Sequence, residues 1–118
     1  MSEPVRAATA EHYLWGEVCD GWHLVRSESL SVIEERMPAG AREQRHCHRK
    51  ARQFFYVLEG ELTTEVEGRV GEARLHTLGA GQGVEIAPGE RHQAMNGSGE
   101  DVRFLVISTP PAQGDREP

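Results

Sequence analysis

Short runs of apolar residues, one of them alternating with polar residues at a period of two, are divided by turn residues along most of this chain. From Leu30 to Met37, the residues Leu30, Val32, Glu34 and Arg36 fall on one face and Ser31, Ile33, Glu35 and Met37 on the other, which predicts a strand rather than a helix. Trp22 to Arg26 reads as a short strand before it. Phe54 to Leu58 is a dense aromatic and branched run, suited to a strand covered on both faces, and Glu59-Gly60 turns it into a strand over Glu61 to Val66. Glu67-Gly68 is a hairpin signal, followed by strands over Ala73 to Leu78 and Val84 to Ile86 with a glycine-rich turn at Gly79 to Gly83. Pro88-Gly89 turns again, His92 to Asn96 is extended, and Asn96-Gly97-Ser98-Gly99 leads into Val102 to Ser108. Eight or more short strands with no convincing helix predict an all-β domain over residues 21–108. Residues 1–20 are expected to form an N-terminal arm, of which residues 1–11 are either flexible or added to a neighbouring subunit. Trp15 and Trp22, beside the turn signals Gly16 and Asp20-Gly21, are expected in the core or at a subunit interface. Residues 109–118 carry three prolines and are expected to be a loose tail that could fold over one end of the domain.

Length and charge narrow the class. A chain of 118 residues suits one domain, and 19 acidic against 13 basic residues give a formal charge of −6. Lys50 is the only lysine. That balance argues against a nucleic-acid partner, which needs a positive surface to displace counterions. No run of apolar residues is long enough to span a bilayer, and Met1 to Glu11 has no apolar signal core, so a cytoplasmic protein with no membrane partner is expected. Cys19 and Cys47 are too few for a disulfide framework and read as reduced thiols.

The candidate chemistry lies between Gly40 and Gly60. In an extended segment His46 and His48 project from one face while Cys47 faces away, and two imidazoles on one face make half of a metal site. The full stretch runs Gly40, five residues, His46, Cys47, His48, four residues, Gln53, six residues, Gly60. A second block runs Gly81, seven residues, Gly89, two residues, His92, three residues, Asn96. The pair resembles the two signature motifs of the cupin superfamily, with two departures: Gln53 stands in the usual glutamate position, and Ala87 in the proline position, with Pro88 displaced by one.

The resemblance implies an antiparallel double-stranded β-helix, the jelly-roll cupin barrel. It also implies one divalent metal ion, of iron, manganese, nickel or zinc, held by His46, His48, Gln53 and His92. With Gln53 in place of a carboxylate all four donors are neutral, so the ion keeps its full charge and a potential base is removed. Glu35, facing inward from a neighbouring strand, is the candidate to take over acid/base work. Ile33 and Met37 share the Glu35 face, Phe55 and Val57 share the Gln53 face, and together they are the expected lining of an apolar pocket for a small molecule. His12, His23 and His76 fall outside the motifs, His23 being the one best placed to see the pocket. No phosphate loop, nucleophile elbow or dinucleotide fingerprint is present. Two classes of function follow. One is a metal-dependent enzyme, either a dioxygenase or a Lewis-acid isomerase, cyclase or lyase; the other is a module that binds or senses a small ligand without chemistry. Small proteins of this type commonly pair, so a homodimer is expected.

Overall fold

The computed structural model describes residues 3–68 and 70–118. After a 3-10 turn at Ala7–Thr9, eleven strands follow among the described residues: β1 (Glu11–Trp15), β2 (Cys19–Arg26), β3 (Ser31–Met37), β4 (Cys47–His48), β5 (Arg52–Glu59), β6 (Leu62–Glu67), β7 (Ala73–Leu78), β8 (Gly83–Ile86), β9 (His92–Met95), β10 (Val102–Thr109) and β11 (Arg116–Glu117). They form a six-stranded sheet in the order β1-β2-β3-β10-β5-β8, a three-stranded sheet β7-β6-β9 and a two-stranded sheet β11-β4. Every pairing is antiparallel. One core joins the two larger sheets, with Met37, Phe55, Val57 and Phe104 from one meeting Leu62, Leu78 and Ala94 from the other. The architecture is the expected antiparallel double-stranded β-helix.

Strand β10 shows why the sequence folds this way. Val102, Phe104, Val106 and Ser108 are buried while Arg103, Leu105 and Ile107 are half-exposed, so one apolar phase of the alternation fills the core between β3 and β5. Each large apolar side chain removed from water there contributes about 1.5–3 kcal/mol, and the Phe55 and Phe104 rings stack at 6.1 Å. Strand β5 departs from expectation. Phe54 and Leu58 are 39% and 41% exposed, so the run is covered on one face only, because the outer face of this sheet is open to solvent. Gly60 turns β5 into β6 with φ 85°, and a Cβ there would lie 2.5 Å from the Asp101 carbonyl oxygen.

Both termini are more ordered than the alternation suggested. The expected arm carries β1, which pairs with β2 in the register Tyr13↔Gly21 and forms the edge of the six-stranded sheet. The expected loose tail carries β11, paired with β4 as Arg116↔His48 and Glu117↔Cys47. Asp115 fastens it further, its Oδ2 accepting from the backbone N–H of Lys50 at 2.8 Å and of Ala51 at 2.9 Å. These ties join residues more than 60 positions apart, so no local signal announces them. Both tryptophans are engaged within the chain: Trp15 packs on the core and donates from Nε1 to the Asp20 carbonyl, and Trp22 carries the Arg103 guanidinium 4.8 Å from its ring centre.

Candidate metal centre

Two backbone segments bring three imidazoles together. His46 and His92 form an isolated antiparallel bridge in which each N–H donates to the other's carbonyl, at 3.0 and 2.8 Å. His48 lies two residues on, on the same face. The ring centres stand 4.5 Å apart for His46–His92, 4.9 Å for His46–His48 and 5.9 Å for His48–His92. One ring nitrogen from each lies within 4.8 Å of the others, and all three side chains are buried.

Backbone carbonyls orient two of the rings. His46 Nδ1 donates to the Gln44 carbonyl at 2.8 Å and His92 Nδ1 to the Glu90 carbonyl at 2.9 Å, which leaves each Nε2 with its lone pair free. The buried His92 Nε2 and His48 Nδ1 have no hydrogen-bond partner among the described residues. Gln53, on β5, donates from Nε2 to the Ser108 hydroxyl at 3.0 Å, and its buried Oε1 is also without a partner among the described residues. Buried polar atoms left unmatched carry a desolvation cost of about 1–3 kcal/mol each, so a cluster of unmatched acceptors is what a cation site presents. Burial, the largest cause, lowers the proton affinity of all three histidines, His46 and His48 to about 4, so the imidazoles are neutral at neutral pH. The donors fit a divalent ion.

A cavity of about 510 Å³ opens onto this cluster and is lined by His46, His48, Gln53, Ile33, Glu35 and Phe55 among others. Of the expected pocket residues, Ile33 and Phe55 line it. Met37 and Val57 do not: both are completely buried in the core, because they sit one alternation further along their strands, paired with Val102 and Phe104. His23 lines the cavity, whereas His12 bonds Asp20 at 2.7 Å and the exposed His76 faces a separate groove.

Glu35 lies in the cavity with a partner that the sequence reading missed. Tyr13 Oη donates to Glu35 Oε2 at 3.3 Å. The reach is possible because Tyr13 on β1, Gly21 on β2 and Glu35 on β3 are register partners in one row across the sheet. Gly21 has no side chain to block the ring, and a Cβ there would come within 2.4 Å of Tyr13 Cζ. Burial first, and then the charge of Glu43, push the Glu35 carboxyl up to about 8; burial also raises the Tyr13 phenol above its ordinary value.

Glu43 and Arg116 were also missed. Glu43 Oε2 accepts from Ala94 N–H at 2.8 Å, its Oε1 lies 3.9 Å from His46 Nδ1, and burial pushes its carboxyl up to about 7. Position 43 is out of phase with 46 and 48, so alternation alone places it on the wrong face. Asn96 of the second block has a structural role: its Nδ2 donates to the Met37 and Glu100 carbonyls at 2.9 and 2.7 Å, pinning the turn before β10.

Comparison with solved structures places this geometry among known folds. The chain is similar to KdgF from Halomonas sp. (TM-score 0.82, 16% identity, covering 96% of this chain and 97% of that one). It is similar to an RmlC-like cupin from Shewanella frigidimarina (TM-score 0.80, 21% identity, 96% and 95% covered). It is also similar to the polyketide cyclase RemF from Streptomyces resistomycificus (TM-score 0.80, 21% identity, 100% and 83% covered). At these identities the likeness is one of fold. No curated protein matches the sequence. The family profile described as the cupin domain matches residues 33–108, a span that includes both glycine-bounded blocks and all three clustered histidines. By that match and by its barrel, the chain belongs to the cupin family.

Proposed function

We propose that this protein is a metal-dependent enzyme that moves a proton on a small organic molecule, as an isomerase, cyclase or lyase does. The observation that carries the reading is that Glu35, with Tyr13 bonded to it, opens into the same cavity as the histidine cluster. His46, His48 and His92, with Gln53 Oε1 as a fourth donor, would hold one divalent ion of iron, manganese, nickel or zinc. Such an ion supplies Lewis acidity that polarises a carbonyl or hydroxyl oxygen. Glu35 is the group that gives or takes the proton. Its proton affinity, near 8, lies close to neutral pH, where proton transfer in both directions is efficient. Tyr13 Oη holds one Glu35 oxygen and leaves the other to face substrate. Ile33 and Phe55 exclude water from the apolar side of the cavity. One of the structural neighbours is a polyketide cyclase, so this barrel hosts chemistry of that kind elsewhere.

The test is deuterium uptake from D2O into a panel of enolisable hydroxycarbonyl compounds, read by mass spectrometry, on chains loaded in turn with each metal. Uptake that depends on metal and falls at least a hundredfold in Glu35→Gln is expected. Uptake unchanged in Glu35→Gln would refute the role of Glu35. O2 consumption by the iron-loaded chain with no deuterium uptake would make the protein a dioxygenase, and ligand-induced thermal stabilisation without any product would make it a binding module.

We also infer a cytoplasmic homodimer. The reduced, buried Cys19 and Cys47 support the location, and the exposed apolar side chains of Leu14 and Val18 at the β1 edge and the turn after it support the pairing.

A further inference from the structure

Two guanidinium groups line the cavity. Arg26 is answered by Glu11 at 3.0 Å; Arg116 has no carboxylate partner among the described residues. Register places the exposed Arg116 on the His48 face, at the rim of the cavity, because residues directly opposite in an antiparallel pair share a face and Arg116 lies opposite His48. Its Nη2 donates to the Gln44 carbonyl at 3.4 Å, the same oxygen that orients His46. Arg116 thus stands beside the histidine cluster with the rest of its five N–H donors unspent. It is also held in place. β4 pairs with it on one side, and the neighbouring Asp115 is fastened to the Lys50 and Ala51 N–H groups.

The cavity also holds three carboxyl groups, those of Glu11, which bonds Arg26, and of Glu35 and Glu43, and none of them forms an ion pair with Arg116 among the described residues. His46, His48, His92 and Gln53 are neutral donors, so an ion held there keeps its full positive charge, and Arg116 adds another. We propose that Arg116 is the substrate-docking cation of the site and that the substrate is a small carboxylate, its two oxygens received by the guanidinium fork while its reactive end reaches the histidines. The planar fork matches a carboxylate in two parallel hydrogen bonds, which a lysine could not supply. The proposal rests on the metal-centre reading for the ion's charge, and on Arg116's own geometry for the docking.

Titration calorimetry on the zinc-loaded chain, with metal content measured for every variant, tests it with malonate, pyruvate and lactate, each against its neutral amide. At least one acid is expected to outbind its amide tenfold or more. Arg116→Gln should weaken that acid about tenfold to hundredfold while leaving the amide and the zinc content unchanged, and Arg116→Lys should recover only part of the loss. Acids that bind no better than their amides, or an Arg116→Gln chain that binds them as the parent does, overturn the proposal. A chain that takes up no zinc overturns the metal-centre reading instead; the same titrations on the metal-free chain then decide on Arg116 alone.

Discussion

Replacing Gly21 by alanine probes the row that connects Tyr13 to Glu35. The new Cβ would lie 2.4 Å from Tyr13 Cζ and 2.6 Å from its Oη, about an ångström inside ordinary contact. Gly21 has no positive φ, so alanine itself is tolerated by the backbone and restricting the unfolded chain contributes about 0.4–1 kcal/mol in its favour. Against that, the half-buried ring must swing aside, with an overpacking cost of about 1–3 kcal/mol and the loss of its 3.3 Å hydrogen bond to Glu35. The net expectation is a destabilisation of about 1–2 kcal/mol. Since the Tyr13 bond lowers the Glu35 proton affinity, its loss should raise that affinity further. Urea denaturation of a double-mutant cycle isolates the contact. In a Tyr13→Ala background the Gly21→Ala change should become neutral or stabilising, a coupling of about 1–3 kcal/mol. An equal cost for Gly21→Ala with and without the Tyr13 ring would refute the argument that this glycine exists to let the tyrosine through.

The metal-free chain should be most stable near pH 6.5. His46 and His48 drop from 6.5 to about 4 on folding, so the unfolded chain binds more protons below pH 6.5 and stability falls as pH descends from there to about 4. Glu35 rises from 4.5 to about 8, so the folded chain binds the extra proton and stability falls as pH climbs through that window, most plainly above 6.5. Denaturation across pH 4–9 checks both limbs: a basic limb unaltered in Glu35→Gln, or an acidic limb unaltered in His48→Gln, contradicts the assignment. For the homodimer, light scattering after gel filtration should give twice the chain mass and Leu14→Glu should halve it; a single-chain mass for the parent at micromolar concentration would refute the pairing.

Much of the barrel could be read from the sequence. β3, β5, β6, β7 and β10 lie where apolar runs and turn residues put them, and in β5 and β10 the alternation is fixed because each buries a single face that a slip of one residue would expose. His46, His48 and His92 were legible for a related reason: motif spacing records how far apart the turns lie, and turns fix which side chains meet. Three kinds of feature were not legible. β4 and β11 are two residues each and pair with one another from distant parts of the chain, so nothing within either segment marks them, and β1 is an edge strand whose side chains are mostly exposed, so its hairpin with β2 leaves no buried face to read. Glu43 enters the site through a stretch that breaks the alternation. Met37 and Val57 share a phase with cavity residues, but phase says which side of a sheet a side chain takes and not how deep along the barrel it lies.

The reciprocal bridge between His46 and His92 has a kinetic consequence. Those residues are 46 apart in sequence, so the cluster assembles only after the long loop between them has closed, late in a fold already slow for its non-local pairings. Once closed, the His46 and His92 rings are held by hydrogen bonds to main-chain carbonyls that need no ion. An emptied site would therefore keep its shape, and metal exchange would be governed by the rate at which water and ion trade places in a rigid aperture rather than by unfolding.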